Sequence, residues 1–135
     1  MSDADVEFVR EALELFIGND RDATFARWSD DCVAVSPAEW PEAGTTEGRD
    51  EVRALFDGFD EAFGPDWPTH MKIERIVDLG GGRVFAELLW RPSGASSGAP
   101  VDQPLSHIYT VKNGEVVRGE FFLGYERGRE AAGLD

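Results

Sequence analysis

The run from Val111 to Phe122, VKNGEVVRGEFF, constrains this chain more than any other. Asn113-Gly114 sits between two β-like segments. A type I′ turn needs positive φ at both central residues, which asparagine and glycine tolerate best. The dipeptide therefore predicts a two-residue hairpin joining Val101–Lys112 to Glu115–Leu123. A regular ladder then sets Val111 opposite Val116, Tyr109 opposite Arg118, His107 opposite Glu120 and Leu105 opposite Phe122. Cross-strand partners share a face, with Cβ atoms roughly 5 Å apart. One face thus carries His107, Tyr109, Arg118 and Glu120, and the other carries Ser106, Ile108, Gly119 and Phe121. A carboxylate beside an imidazole raises its pKa and selects its tautomer, as acid–base chemistry needs.

Elsewhere, Val6, Val9, Leu13, Phe16 and Ile17 form a helical stripe between Asp5 and Ile17, broken at Asn19-Asp20. A second short helix is expected from Arg21 to Trp28, then a strand at Cys32–Val35 and a loop from Pro37 to Thr46. Asp50 and Glu51 open a third helix, where acids suit the helix dipole. Its stripe runs Val52, Leu55, Phe56, Phe59, Phe63 and stops at Gly64-Pro65. Strands follow at Met71–Leu79 and Arg83–Arg91, around Gly80-Gly81-Gly82, with a flexible loop at Ser93–Pro100 before the hairpin. A last helix spans Tyr125 to Ala132. Helices followed by a meander predict one α+β domain over residues 1–135, its helices laid on an antiparallel sheet.

A formal net charge of −14 in 135 residues repels phosphate backbones and anionic lipid, which argues against nucleic-acid and membrane partners. Cys32 is the only cysteine, so no intrachain disulfide can form, and the start of the chain lacks a signal-peptide pattern. A cytoplasmic protein is expected. The two histidines, His70 and His107, have no metal-ligand spacing, and no nucleotide fingerprint is present. No metal or cofactor is expected.

The segments ALELFIGNDRDATFARWSDDCVAVSP, TTEGRDEVRALFDGF and VDQPLSHIYTVKNGEVVRGEFF, with the ending EAAGL, resemble the SnoaL-like branch of the NTF2-like superfamily. That resemblance covers nearly the whole chain and implies a cone-shaped roll. In such a roll a strongly curved sheet packs against N-terminal and central helices around an apolar pocket, usually in a homodimer. Its members include isomerases, polyketide cyclases, epoxide hydrolases, dehydratases and binding proteins, so fold alone does not settle function. Aligned on ketosteroid isomerases, the base falls at Ser36, the oxyanion tyrosine at Ala12 and the second acid at Ser106, so all three catalytic groups are missing. The Asp-Arg-Asp set of limonene-epoxide-hydrolase-type chemistry has no equivalent either. Glu87 and Glu120 are substitutes for, not matches to, a cyclase acid.

The same alignment makes the Ser106 and Phe121 face the pocket side and turns His107 and Glu120 outward, unless a β-bulge flips the register. The expected ligand-binding residues are Trp28, Ser36, Trp40, Trp90, Ser106 and Phe121. His107 and Glu120 are the candidate catalytic pair. Phe16, Phe56 and Phe59 are assigned to the core. The leading expectation is a domain binding a small hydrophobic molecule without the known catalytic sets. The alternatives are a cofactor-independent isomerase, cyclase or dehydratase using the His/Glu pair, and a structural dimerisation module.

Overall fold

The computed structural model describes residues 2–40, 44–91 and 102–134. The expected Ser93–Pro100 loop lies outside them, as do Val101 and part of the Pro37–Thr46 segment. Helix α1 (Ser2–Ile17) ends at Asn19, whose φ of 64° reverses the chain, and Asp20 caps α2 (Arg21–Ala26) by accepting from Ala23 N at 3.1 Å. Next come β1 (Trp28–Ser36), the short edge strand β2 (Gly44–Glu47), and helices α3 (Arg49–Asp57) and α4 (Asp60–Phe63). A 3₁₀ turn (Trp67–His70) leads into β3 (Met71–Gly80), β4 (Arg83–Trp90), β5 (Gln103–Lys112), β6 (Glu115–Leu123) and α5 (Glu126–Ala132).

The strands form one curved six-stranded sheet in the order β2-β1-β6-β5-β4-β3. Four of its neighbour pairs are antiparallel, while β1 runs parallel to β6. Two expectations change at the ends of elements. Trp28 opens β1 instead of closing α2, and Gly44–Glu47 is a strand where a loop was expected. The long third helix is broken at Gly58. Arg21 holds the two pieces in place, bonding Asp57 at 2.7 Å and Asp60 at 2.8 and 2.9 Å, while Trp67 Nε1 donates to Asp60 at 2.9 Å. These bonds raise the Arg21 pKa and lower that of Asp60, so both stay charged.

The hairpin turn is as expected, with φ of 54° at Asn113 and 76° at Gly114, and Lys112 opposite Glu115. Two residues later the ladder slips. Val111 still faces Val116, but Thr110 faces Arg118, leaving Val117 as an extra residue. From there His107 pairs with Phe121 rather than Glu120, and Glu120 pairs with Ile108. The regular register is therefore corrected by a β-bulge, and burial explains it. A one-residue slip moves every later side chain on a strand to the other face. Without the bulge, Arg118 and Glu120 would join buried Tyr109 and Leu105 on the inner face. With it, they turn outward and pair at 3.3 Å, and Gly119 and Phe121 turn in. The parallel β1–β6 ladder also shifts, between Trp28 and Val33, so both strands bend together.

The core lies between the inner face of the sheet and α1, α2 and α3, with Val9, Leu13, Val52, Phe56, Val84 and Leu88 buried. The outer face is covered at one place by α5. There Ser106 Oγ donates to Gly124 O at 2.7 Å, and Arg129 grips the buried Glu87 at 2.5 and 3.1 Å. Gly128 makes this contact possible, because a Cβ there would lie 2.0 Å from Ser106 Oγ. Gly128→Ala should therefore cost about 1–3 kcal/mol, the usual range for an overpacked contact. Ser106→Gly removes the clashing side chain, so the double variant should lose clearly less than the sum of the two single variants. Denaturant melts of the two single variants and the double variant check this; additive losses would refute the steric account.

Candidate functional site

The bulge sets His107, Tyr109, Gly119 and Phe121 on the concave face of the sheet, under the helices. Gly119 has a local purpose. A Cβ there would meet Trp28 Cη2 at 2.7 Å and Phe121 Cζ at 2.9 Å, so its absence lets both rings lie close to the strand. His107 meets Phe121 edge to face, with centroids 4.7 Å apart, and Tyr109 meets Trp28 in the same way at 6.2 Å. Trp40 stacks over Phe121 at 6.1 Å with 14° between the planes, and touches Phe59 edge-on at 4.9 Å.

Two hollows open onto this cluster. The larger is a cleft of about 430 Å³ walled by Trp40, Phe59, Phe63, Trp67, Trp90 and Leu105, among others. The smaller is an inner cavity of about 30 Å³ bounded by Val9, Leu13, Phe25, Trp28, Tyr109 and Val116, among others. Phe16, Phe56 and His107 belong to the walls of both. Among the described residues the cleft is lined by no lysine or arginine. Its one acid is Glu39, held on the rim by Arg127, which keeps its pKa below the ordinary carboxylate value.

His107 is only 6% exposed, and its Nδ1 lies 2.6 Å from the Tyr109 hydroxyl. Burial pushes the imidazole pKa down to about 3 and the phenol well up, so both are neutral at ordinary pH. One hydrogen can lie between the two groups. If the phenol donates to Nδ1, the imidazole proton sits on Nε2, away from Tyr109. The reverse arrangement would strand a phenolic hydrogen against the apolar inner cavity, at the cost of a buried donor. The geometry thus favours an Nε2–H donor at the junction of the two hollows.

The structure brings Trp28, Trp40, Trp90, Phe121 and His107 around the hollows. It separates the others. Glu120 is on the outer face and Ser106 is under α5, so the expected His107–Glu120 pair and Ser106–Phe121 face do not form. Ser36 lies beside Phe121, because β1 and β6 run in register at Val35 and Glu120, and its buried Oγ has no hydrogen-bond partner. Sequence reasoning put Tyr109 on the face of His107 without naming it a site residue, left Trp67 and Glu39 out of the expected site, and gave Phe16, Phe56 and Phe59 to the core alone. Tyr109 had a signal in the i, i+2 alternation with His107. Cys32 is fully buried with its thiol pKa raised to about 11, which leaves it unreactive. Among the described residues no group of His, Cys, Asp or Glu is placed to hold a metal, and no helix is long and apolar enough to cross a membrane.

A family model for the SnoaL-like domain matches residues 9–119. The chain belongs to the SnoaL-like family. No curated protein matches it by sequence. Among solved structures it is similar to Bal32a, from a soil-derived mobile gene cassette, at 20% identity and a TM-score of 0.73 over 90% of each chain. It is also similar to TerC, co-crystallised with polyporic acid, at 16% identity and a TM-score of 0.72 over 96% of this chain and 98% of that one. A putative SnoaL-like polyketide cyclase from Mesorhizobium loti follows at 19% identity and 0.62, over 90% of this chain and 99% of that one. At these identities the likeness is one of fold, and a SnoaL-like roll is what the sheet and helices form.

Two predictions follow from the buried polar groups. A hydroxyl buried without a partner costs free energy, so Ser36→Ala should raise stability by about 1 kcal/mol. A loss of stability in chemical denaturation would show that Ser36 has a partner. For His107, the folded pKa lies below the unfolded value of 6.5, so the unfolded chain takes up the proton first. Stability is full above pH 6.5 and falls with lower pH toward about 3. Wild type should lose more melting temperature between pH 7 and 5 than His107→Gln; equal losses would mean that His107 titrates normally.

Proposed function

We propose that this SnoaL-like domain binds a small, neutral, flat and largely apolar molecule in the cleft between sheet and helices. The observation that carries this reading is the cleft itself. Its volume falls within the usual range for small-molecule sites, its walls are aromatic, and its lining adds a few polar groups, His107, Gln103 and Glu39. Aromatic walls reward a flat ligand by area burial and edge-to-face contact. A cleft lined by no cation among the described residues, in a chain of net charge −14, disfavours anionic ligands. TerC, a relative in fold, has been co-crystallised with polyporic acid, which supports a small organic ligand for a roll of this shape.

Binding is favoured over acid–base catalysis by the titration of the groups present. An efficient general base has a pKa near the working pH. His107 is pushed far below that range and Glu39 is held below its ordinary value, while Glu87 and Glu120 lie outside the cleft. An isomerase, cyclase or dehydratase would have to raise the His107 pKa on binding its substrate.

The test uses 2-naphthol, followed by quenching of tryptophan fluorescence at pH 7. Saturable binding is expected, weakened about tenfold or more by Trp90→Ala and by Phe59→Ala. Absence of saturable binding, or equal affinity in both folded variants, would reject the cleft as the site.

A further inference from the structure

The two hollows differ in kind, and His107 stands between them. The cleft is wide and aromatic, whereas the inner cavity is small and lined mostly by aliphatic and aromatic carbon. Besides His107 its polar neighbours include Tyr109, whose hydroxyl bonds His107 at 2.6 Å, and Thr24, whose hydroxyl is committed to Asp20 O at 2.7 Å. About 30 Å³ is room for a water-sized or methyl-sized group and little more. The wall shared with the cleft includes the Phe16–Phe56 edge-to-face pair, 5.8 Å between centroids, and His107. Side-chain rotation is enough to open such a wall.

We propose that the inner cavity is a size-limited end subsite of the cleft, selecting ligands that carry a short acyl group on an aromatic ring. This inference rests on the cleft being the binding site, as proposed above. The ring lies among Trp40, Phe59 and Trp90. The carbonyl oxygen accepts from Nε2–H of His107, whose tautomer Tyr109 fixes. The alkyl end of the acyl group passes His107 and fills the space before Val9, Leu13 and Val116. Three features of one ligand are thus read by three parts of the site: flatness by the cleft, a neutral acceptor by His107, and chain length by the inner cavity. Leu13 and Val9, both on α1 and both buried, are the specificity-determining residues. Neither touches the cleft.

The experiment measures affinities of 2-acetylnaphthalene and its propanoyl, butanoyl and pentanoyl homologues, by tryptophan fluorescence or calorimetry at pH 7. Each buried methylene adds about fourfold in affinity. The gain should therefore appear at the first or second homologue and reverse at pentanoyl, with a loss of about tenfold from the best member. Leu13→Ala enlarges the cavity and should move the optimum to a longer acyl chain. Val9→Ala, a smaller deletion, should do so to a lesser degree if Leu13→Ala fails to fold. Affinity rising steadily through pentanoyl in the wild type would overturn the proposal, since the tail would then be leaving through the mouth. An unchanged order of affinities in a folded variant would also overturn it. Binding of 2-naphthol without binding of any acyl homologue would refute the end subsite and leave the cleft reading intact. Failure of every naphthyl compound would reject both.

Discussion

The extra residue Val117 in β6 decides the chemistry of this fold. A hairpin is a rigid alternation of faces, so whichever side chain begins on the inside stays there until a bulge intervenes. The slip happens where the sheet must bend, beside the shift in β1. It also sorts charge from aromatic surface, sending Arg118 and Glu120 to water and Gly119 and Phe121 to the interior. His107 thereby gains Tyr109 and Phe121 as neighbours and loses Glu120. A regular ladder would bury Arg118 and Glu120 beside His107; with the bulge His107 is left as a dry, neutral donor.

Much of the architecture was legible because it rests on local rules. Asn113-Gly114 formed its turn, the Val9–Leu13–Phe16 stripe is buried, and Asp20 caps the helix that follows Asn19. The curved α+β roll followed from the order of these elements and from the family resemblance. A bulge was open as a possibility, but its presence at Val117 was not legible, because its cause is global: which face of β6 is buried depends on helices far away in sequence. The edge strand β2 was hidden for another reason. Its sequence, Gly-Thr-Thr-Glu, has no apolar alternation, since an edge strand over β1 has little to bury. Phe16, Phe56 and Phe59 show a third limit. A helical stripe looks the same in sequence whether it packs against side chains or walls a cleft.

The polar network around Arg21 and the contact under α5 share a logic. In each, a charged or hydroxyl group is used to fix a helix that the apolar core alone would leave free to slide. Arg21 anchors α3, α4 and the Trp67 turn, and so sets where Phe56, Phe59 and Trp67 stand in the cleft wall. The Glu87–Arg129 pair and the Ser106 hydroxyl fasten α5 to the outer face, freeing the inner face of the sheet for the hollows. Burial of a paired carboxylate is a weak source of net stability, and its use here is positional.

The parallel partnership of β1 with β6 has a consequence for how the chain assembles. Ala34 meets Gly119 across well over half the length of the chain, and closing so long a loop is entropically slow. Local pieces, the α1–α2 corner and the Asn113-Gly114 hairpin, can form early. Trp28, Phe121 and Tyr109 come together only once those two strands join. The inner cavity, which Trp28 helps to wall, is therefore a late feature to form as the protein folds and an early one to be lost when it opens. A molecule seated there would act as a strut between the first strand and the last, slowing unfolding as well as occupying a site.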